Sequence, residues 1–277
     1  MARADDEPPR AQNPHTGRIW GLYGAFGRCR HPESPLFGAV HADGIVSSDI
    51  VGYSTESLTS GKFNMTGVTF NNIGSDATFN LNDVDIKNAT GSDSDNTADQ
   101  VQIWNPATSG YTFFYKYYEA EYPEDEGWYD AGGDAEPVVE LGMAFWYRAR
   151  VGDGKSITFA GAIEGSDDVT VDLTSGKFNM VINPFPAAID LNDSTTVTIA
   201  NATGSDSDNT ADQVQVWNPA TSGYTFFYKY YEAEYPEDEG WYDAGGDAEP
   251  VLPAGTAFWY RARTGEGKSI TFPNPAK

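Results

Sequence analysis

The stretch QVQIWNPATSGYTFFYKYY occupies residues 100–118 of the chain. At its start, the apolar residues Val101 and Ile103 alternate with glutamines, which is the period of a half-buried β-strand. The segment NPATSG then supplies Asn, Pro and Gly, the residue types at which a chain reverses its direction. The following GYTFFYKYY is aromatic on both faces, and aromatic side chains favour strands. The stretch therefore predicts two β-strands separated by a turn.

This stretch belongs to a long internal repeat. Residues 88–150 and 201–263 align without a gap, and only five of the 63 positions differ. Two shorter blocks, LTSGKFNM and KSITF, recur on either side of the repeated segment. A unit of about 110 residues has the size of a domain and is too long for a solenoid repeat. The sequence therefore predicts two tandem domains, repeat 1 (46–163) and repeat 2 (164–277). The differing pairs are Ile103/Val216, Val139/Leu252, Glu140/Pro253, Leu141/Ala254 and Met143/Thr256.

The period of two recurs in the other segments of each repeat. Phe63 and Met65 alternate with polar neighbours in KFNM, and Ile157 and Phe159 do so in SITF. No window has helical spacing. Seven to nine short strands per repeat are expected, which indicates an all-β fold of two antiparallel β-sandwiches. An orthogonal, barrel-like sandwich is the alternative. The segment YRARVGDGKSITF at 147–159 predicts a hairpin with a glycine-containing loop.

Residues 1–45 differ in composition from the two repeats. They are polar, carry several prolines and lack a periodic apolar face, which predicts a disordered tail. Within them, LFGAVHA at 36–42 ends in the small-x-small pattern that precedes a signal cleavage site. Cleavage there would start the mature chain near Asp43. A degenerate signal region and a plain disordered tail are both compatible with this pattern.

Acidic residues dominate the two repeats. The chain has 277 residues and a net charge of −24, and residues 46–277 hold 36 acidic and 12 basic residues. Such a surface repels nucleic acid and anionic lipid, so we expect no nucleic-acid partner. No segment approaches the roughly 18 apolar residues of a membrane helix, so we expect no membrane insertion. A solvated acidic surface that keeps the protein soluble, or an affinity for cations, would explain the charge.

The loop GSDSDNTAD is the first candidate site. It spans 91–99 and recurs at 204–212, and it places three aspartates in a turn-rich segment. Closely spaced carboxylates on a loop are ligands that Ca²⁺ accepts, so calcium is the candidate cofactor. The alternative is a solvated turn in which Asp and Asn bond to nearby backbone. The candidate ligands are Asp93, Asp95, Asp99, Asp206, Asp208 and Asp212.

The second candidate is YTFFYKYYEAEYPEDEGWYDAGGDAEP, at 111–137 and again at 224–250, which we call the acidic–aromatic stretch. Exposed aromatic faces can stack on sugar rings, and carboxylates can accept hydrogen bonds from sugar hydroxyls. The alternative, which we favour, places the aromatic side chains in the core and the acids in water. The candidate residues for ligand binding are Trp128, Tyr129, Trp241 and Tyr242.

The third candidate is AFWYRAR, at 144–150 and 257–263. Period two puts Trp146, Arg148 and Arg150 on one face of a strand, and Trp259 holds the equivalent position in repeat 2. Trp146 and Trp259 are added to the candidate ligand-binding residues. The arginines are expected to bind the acidic loops, or to form ion pairs and cation–π contacts within their own domain.

Neither repeat contains His or Cys; His15, Cys29, His31 and His41 all precede residue 46. This removes Ser-His and Cys-His nucleophiles and His-based zinc sites from the repeats. Only carboxylate chemistry, such as that of a glycosidase, is left for an enzyme. Because carboxylates are abundant throughout, a chance pair carries no weight, and the sequence predicts no enzyme.

Four segments carry a resemblance to a known group. IVSSDIVGY, WNPATSGYTFFYKYY, GWYDAGG and PAGTAFWYRA resemble poorly characterised secreted repeat β proteins of the Planctomycetes–Verrucomicrobia group of bacteria. In that group DIVGY lies just after the signal peptide, as 49–53 lies after Ala42 here. The resemblance covers about 46–277 and implies export to the cell envelope or outside. It implies no activity and no functional residues.

Together these observations predict a non-catalytic, secreted or cell-surface protein with a structural or adhesive role. A pair of carbohydrate-binding modules is the second hypothesis, and a carboxylate-based glycosidase is the third. The expected partners are polysaccharide, other surface proteins or further copies of the same chain.

Overall fold

The computed structural model describes residues 50–70, 78–133, 136–163, 167–246, 250–275 and 277. The tail predicted at 1–45 lies outside the described residues. Within them the elements are β-strands and two 3-10 turns, Pro123–Asp125 and Pro236–Asp238. None of the helical segments there is long and apolar enough to span a membrane. The predicted all-β fold is confirmed.

Repeat 1 contains ten of the described strands. They are β1 (Ile50–Ser57), β2 (Phe63–Gly67), β3 (Thr78–Asn80), β4 (Asp85–Lys87), β5 (Gln100–Asn105), β6 (Gly110–Tyr117), β7 (Gly127–Asp130), β8 (Val138–Glu140), β9 (Ala144–Arg148) and β10 (Ser156–Ile163).

Repeat 2 contains ten equivalent strands. They are β11 (Val169–Asp172), β12 (Phe178–Ile182), β13 (Ile189–Asp190), β14 (Thr198–Ala200), β15 (Gln213–Asn218), β16 (Gly223–Tyr230), β17 (Gly240–Asp243), β18 (Val251–Leu252), β19 (Ala257–Arg261) and β20 (Ser269–Phe272). The expected count of seven to nine was too low, because strands of two or three residues are too short to show alternation.

The same three antiparallel sheets are built in each repeat. In repeat 1 they have the orders β2-β9-β5-β6-β7, β1-β10-β4 and β3-β8. In repeat 2 the orders are β12-β19-β15-β16-β17, β11-β20-β14 and β13-β18. The predicted hairpin at 147–159 is wrong. Its two strands, β9 and β10, lie in different sheets, because each buries its apolar side chains against other partners.

Each repeat has its own core between its sheets. In repeat 1, Val101, Phe145 and Tyr147 of the five-stranded sheet pack with Ile157 and Phe159 of the three-stranded sheet. All five side chains are buried, as the period-two pattern of their strands predicts. Repeat 2 builds the matching cluster from its copies of these residues, and Phe70 and Ile163 of repeat 1 pack into it. Two β-sandwiches therefore stand in tandem, with β10 ending at Ile163 and β11 beginning at Val169.

The two sandwiches belong to one compact unit, Ser47–Lys277. A third apolar cluster joins them, formed by side chains of both five-stranded sheets. Its buried members are Met65, Ala144, Trp146, Met180, Ile182, Ala257 and Trp259. The repeats are therefore packed against each other.

Candidate functional site

A buried aspartate closes each acidic loop. Oδ2 of Asp99 accepts hydrogen bonds from the Thr90 backbone N–H at 2.9 Å and from the Tyr147 hydroxyl at 2.7 Å. Oδ1 accepts one from the backbone N–H of Arg150 at 2.6 Å. The Lys155 ammonium completes the set, with its Nζ 2.7 Å from Oδ2. Both oxygens of this carboxylate are thus bound by groups of the protein itself.

The Asp99–Lys155 pair is removed from water, since both side chains are 0% exposed. Nζ of Lys155 also donates to the Asn88 carbonyl at 2.8 Å and to the Thr90 hydroxyl at 2.7 Å. Burial beside the aspartate raises the pKa of Tyr147, which stays a neutral donor. The arrangement ties the start of β5 to the end of β9 and the start of β10.

Repeat 2 reproduces this arrangement with Asp212, Lys268 and Tyr260. The ammonium lies 2.7 Å from the carboxylate, and the tyrosine hydroxyl donates to it at 2.7 Å. Because all six groups have their partners inside the protein, this buried network is a structural element of each sandwich.

The six candidate calcium ligands are therefore divided between core and surface. Asp99 and Asp212 face the core, whereas Asp93, Asp95 and Asp206 are exposed and Asp208 is half-buried. The backbone carbonyl of Asp95, rather than its carboxylate, binds Gln100 at 2.7 Å. Within the described ranges, no three His, Cys, Asp or Glu side chains form a group that could hold a metal ion. Calcium binding at these loops stays a prediction.

Close backbone approach fixes the position of the acidic loop. The Ser92 N–H donates to the Lys116 carbonyl at 3.0 Å, and Tyr118 N–H donates back to the Ser92 carbonyl at 3.3 Å. A Cβ at Gly91 would lie 2.5 Å from Cβ of Tyr118, so only glycine fits there. The acidic loop is thus hydrogen-bonded to the end of β6 in the five-stranded sheet.

The acidic–aromatic stretch contributes both to the core and to the surface. Trp128 is 2% exposed and packs edge-on against Tyr147, with ring centroids 5.7 Å apart. Trp241 is 3% exposed and packs on Tyr260 in the same way. Tyr129 is half-buried, as is Tyr242. The structure therefore places the two tryptophans where solvent does not reach their ring faces.

Two other tyrosines of the stretch face solvent. Tyr118 is 41% exposed and Tyr122 is 50% exposed, and repeat 2 exposes their copies, Tyr231 and Tyr235, to the same extent. Next to Tyr118 in the sequence, the Tyr117 hydroxyl donates to Glu119, and this bond raises the pKa of Tyr117 to about 12. The surface of the stretch is therefore acidic and aromatic, and its solvent-exposed rings are those of tyrosines, whereas its tryptophans are buried.

Trp146 and Trp259 lie in the interface between the repeats. Trp146 packs edge-on against Trp217 of repeat 2, with ring centroids 5.4 Å apart. Trp259 packs on Trp104 of repeat 1 at the same 5.4 Å. Both Trp146 and Trp259 are 7% exposed. These two candidate binding residues therefore connect the sandwiches.

Polar contacts across the interface are reciprocal. The indole N–H of Trp104 donates to the Phe178 carbonyl at 2.7 Å, and that of Trp217 donates to the Phe63 carbonyl at 2.8 Å. The Lys62 ammonium reaches the Ser222 hydroxyl, and the Lys177 ammonium reaches that of Ser109. Each of these four side-chain contacts has a mate in which the two repeats exchange roles. The interface is thus isologous, as in a two-fold symmetric dimer.

The arginines of AFWYRAR in repeat 1 contact residues of their own sandwich. Arg148 lies 5.5 Å from the Phe63 ring centre and bonds to Gln100. Arg150 donates to the carbonyls of Ala98 and Asp95 in the acidic loop. The arginines therefore combine a cation–π contact with hydrogen bonds to loop carbonyls.

Sequence reasoning missed the residues that organise this structure. Lys155 stands in a glycine-rich loop segment that looks solvated, and nothing local marks its ammonium as buried. Trp104 ends a strand whose pattern gives no sign of a partner in the other repeat. The one available signal was the repetition of KSITF, which places a lysine at the same position in both copies.

Comparison with family models, with curated protein sequences and with solved structures returned no match.

Proposed function

We propose that this chain is a non-catalytic structural or adhesive protein, exported to the cell envelope or beyond it. The observation that supports this role is the reciprocal interface, in which each repeat places a tryptophan on the backbone of the other. Such an interface holds two copies of one acidic surface in a fixed relation. A rigid pair of identical surfaces suits a building block of a surface layer.

Duplication has a direct consequence for adhesion. Two identical surfaces on one chain turn a second binding event into an intramolecular one, which raises avidity on the order of 10²–10⁴-fold. The gain requires that both surfaces reach the same polymer or cell surface at once. The tryptophan contacts fix that geometry, so they support adhesion without touching the ligand.

Carbohydrate binding is the second candidate, and one observation favours it. Tyr118 and Tyr122 are exposed beside the carboxylates of the acidic–aromatic stretch, and Tyr231 and Tyr235 repeat the arrangement. Tyrosine rings can stack on sugars while neighbouring carboxylates accept hydrogen bonds from hydroxyls. A polysaccharide partner would then contact tyrosines, with the buried tryptophans supporting the fold behind them.

The test measures retention of the full chain on an immobilised cell-envelope fraction. The variant Trp104→Ala with Trp217→Ala loosens the interface, and far-UV circular dichroism checks that both sandwiches persist. We expect retention to fall at least tenfold, because the two surfaces lose their fixed relation. A second variant replaces Tyr118, Tyr122, Tyr231 and Tyr235 by Ala.

Each result has a defined meaning. Loss of retention in the tyrosine variant supports carbohydrate binding when free polysaccharide also competes. Retention that depends on the interface but not on the tyrosines supports adhesion through another part of the acidic surface. An absence of retention for the unmodified chain contradicts both forms of the proposal.

A further inference from the structure

A pocket of about 390 Å³ lies between the two repeats. Repeat 1 contributes side chains of β1 and β2, among them Glu56 and Met65, and repeat 2 contributes Trp217, Gly255 and Thr256. This volume is in the range of small-molecule sites. None of the candidate sites from the sequence includes it.

The pocket occupies one of two positions related by the pseudo-symmetry of the interface. At the other position the same elements are in contact. There Met143 and Val181 form a β-bridge, and the Ile182 N–H donates to the Gly142 carbonyl at 3.0 Å. A Cβ at Gly142 would lie 2.8 Å from a methyl of Val171, whereas one at its copy, Gly255, would meet nothing within 4 Å. We call the side of the interface with the Met143–Val181 bridge the filled edge, and the side with the pocket the open edge.

The open edge results from specific differences between the repeats. Glu56 pairs with Ile157 as Val171 pairs with Ile270, so Glu56 and Val171 are structural equivalents. By the same reasoning Ser54 matches Val169. Several residues around the pocket are smaller or more polar than their equivalents in the other repeat. The pairs are Ser54/Val169, Glu56/Val171, Val216/Ile103, Ala254/Leu141 and Thr256/Met143.

Three of these pairs come from the nearly identical segment of the repeat. Only five of its 63 positions differ, and three of the five line the pocket as Val216, Ala254 and Thr256. Divergence in an otherwise unchanged segment is therefore concentrated at this opening. Smaller residues that leave a space unfilled lower stability, so stability alone does not explain them.

Glu56 supplies a carboxyl group to the wall of the pocket. It is half-buried on the inner face of its sheet, where repeat 2 has a valine. Burial raises its pKa to about 7, and a hydrogen bond from the Thr66 side chain lowers it in part. Among the described residues that line the pocket, Glu56 is the only ionisable one. The neighbouring hydroxyls of Ser54 and Thr69 are bonded to each other at 2.8 Å.

We propose that this pocket binds a small organic cation, a primary ammonium group on a short apolar stem, with the ammonium against the Glu56 carboxylate and the stem against Trp217 and Met65.

Charge and wall composition both favour this class of ligand. The net charge of −24 raises the local concentration of cations and disfavours anions. A carboxylate with no cationic side chain in the same pocket leaves room for a ligand cation. The indole of Trp217 and the side chains of Met65 and Phe159 supply apolar and aromatic surface, which suits an alkyl stem and also attracts a cation.

The test is calorimetric titration of the full chain at pH 8 with butylammonium, and with 1-butanol as the uncharged probe of similar shape. We expect butanol to bind at least tenfold more weakly, since a hydrogen-bonded charge contributes about a factor of ten or more. Glu56→Gln should weaken butylammonium binding by at least tenfold. Lowering the pH from 8 to 6 should weaken it by about tenfold, because the pKa of Glu56 is about 7.

Two further variants separate the pocket from the overall charge. Thr256→Met introduces the residue of the filled edge, leaves Glu56 in place and should abolish binding by occupying the space. Glu124→Gln removes an exposed acid elsewhere and should change the affinity less than twofold. Equal losses for Glu56→Gln and Glu124→Gln would overturn the proposal in favour of diffuse attraction. Binding that survives Thr256→Met, or its absence from the unmodified chain, would overturn it as well.

Discussion

The buried ion pair makes a quantitative prediction for stability. Lys155→Met removes the ammonium and keeps most of the side-chain volume. The Asp99 carboxylate, 0% exposed, would retain its three other donors but lose its ion-pair partner. Breaking a buried pair on one side costs about 3–5 kcal/mol, because an uncompensated charge is left in the core. With three hydrogen bonds remaining, we expect a loss of about 3 kcal/mol in the free energy of unfolding.

Chemical denaturation at pH 7 measures this loss, and the chain provides its own control. Lys116 pairs with Glu126 at 2.9 Å, but their side chains are 17% and 46% exposed. Lys116→Met should therefore cost less than about 1 kcal/mol, as partly exposed pairs do. Lys268→Met in repeat 2 should match Lys155→Met.

A double-mutant cycle completes the argument. Asp99→Asn alone leaves a buried ammonium without an anionic partner, with neutral acceptors such as the Asn88 carbonyl and the Thr90 hydroxyl. The double variant removes both charges, so its loss should fall short of the sum of the single losses by about 2 kcal/mol or more. If Lys155→Met costs no more than Lys116→Met, the pair is not desolvated as described and the reasoning fails.

Two further predictions concern acidic residues. Folding raises the pKa of Glu56 from 4.5 to about 7. Between pH 4.5 and pH 7, folding is therefore accompanied by the uptake of a proton. Above pH 7 the buried, ionised Glu56 lowers the free energy of unfolding by roughly 3 kcal/mol. The stability of the unmodified chain relative to Glu56→Gln should therefore rise as the pH falls from 8 to 4.5, and a flat difference across that range would contradict the assignment. For the acidic loops, Ca²⁺ and Mg²⁺ at equal ionic strength should raise Tm alike, since Asp99 and Asp212 already have lysine partners. A larger effect of Ca²⁺ that disappears in Asp93→Asn with Asp95→Asn would instead establish a calcium site.

Local pattern was sufficient for the class of fold. Alternation at Val101 and Ile103, and at Ile157 and Phe159, identifies strands and their buried faces, because successive side chains of a strand point to opposite sides. The offset between the copies identifies two sandwiches of the same architecture. In the acidic–aromatic stretch, Trp128 lies in the core, as the alternative that we favoured expects, whereas Tyr118 and Tyr122 are exposed.

Pairing and burial required the tertiary structure. The segment from Tyr147 to Phe159 has every local feature of a hairpin, yet its strands join different sheets, because strand partners are selected by apolar surfaces distant in sequence. Asp99 is one of several similar aspartates in its loop, and only the fold brings Lys155, 56 residues later, to its carboxylate. Likewise, only the strand register shows that Glu56 holds the position in repeat 1 that Val171 holds in repeat 2.

The sequence by itself determined that this chain is an acidic, all-β tandem repeat without histidine or cysteine in either copy. The tertiary structure alone decided that the two repeats contact each other through reciprocal tryptophans. It also decided that one side of this interface is packed, while the other side contains a pocket. The physical reason is the range of the interactions. Period-two alternation and turn chemistry act between near neighbours along the chain. The side-chain hydrogen bonds between the two sandwiches join residues 68 to 160 positions apart, whose contact no local pattern records.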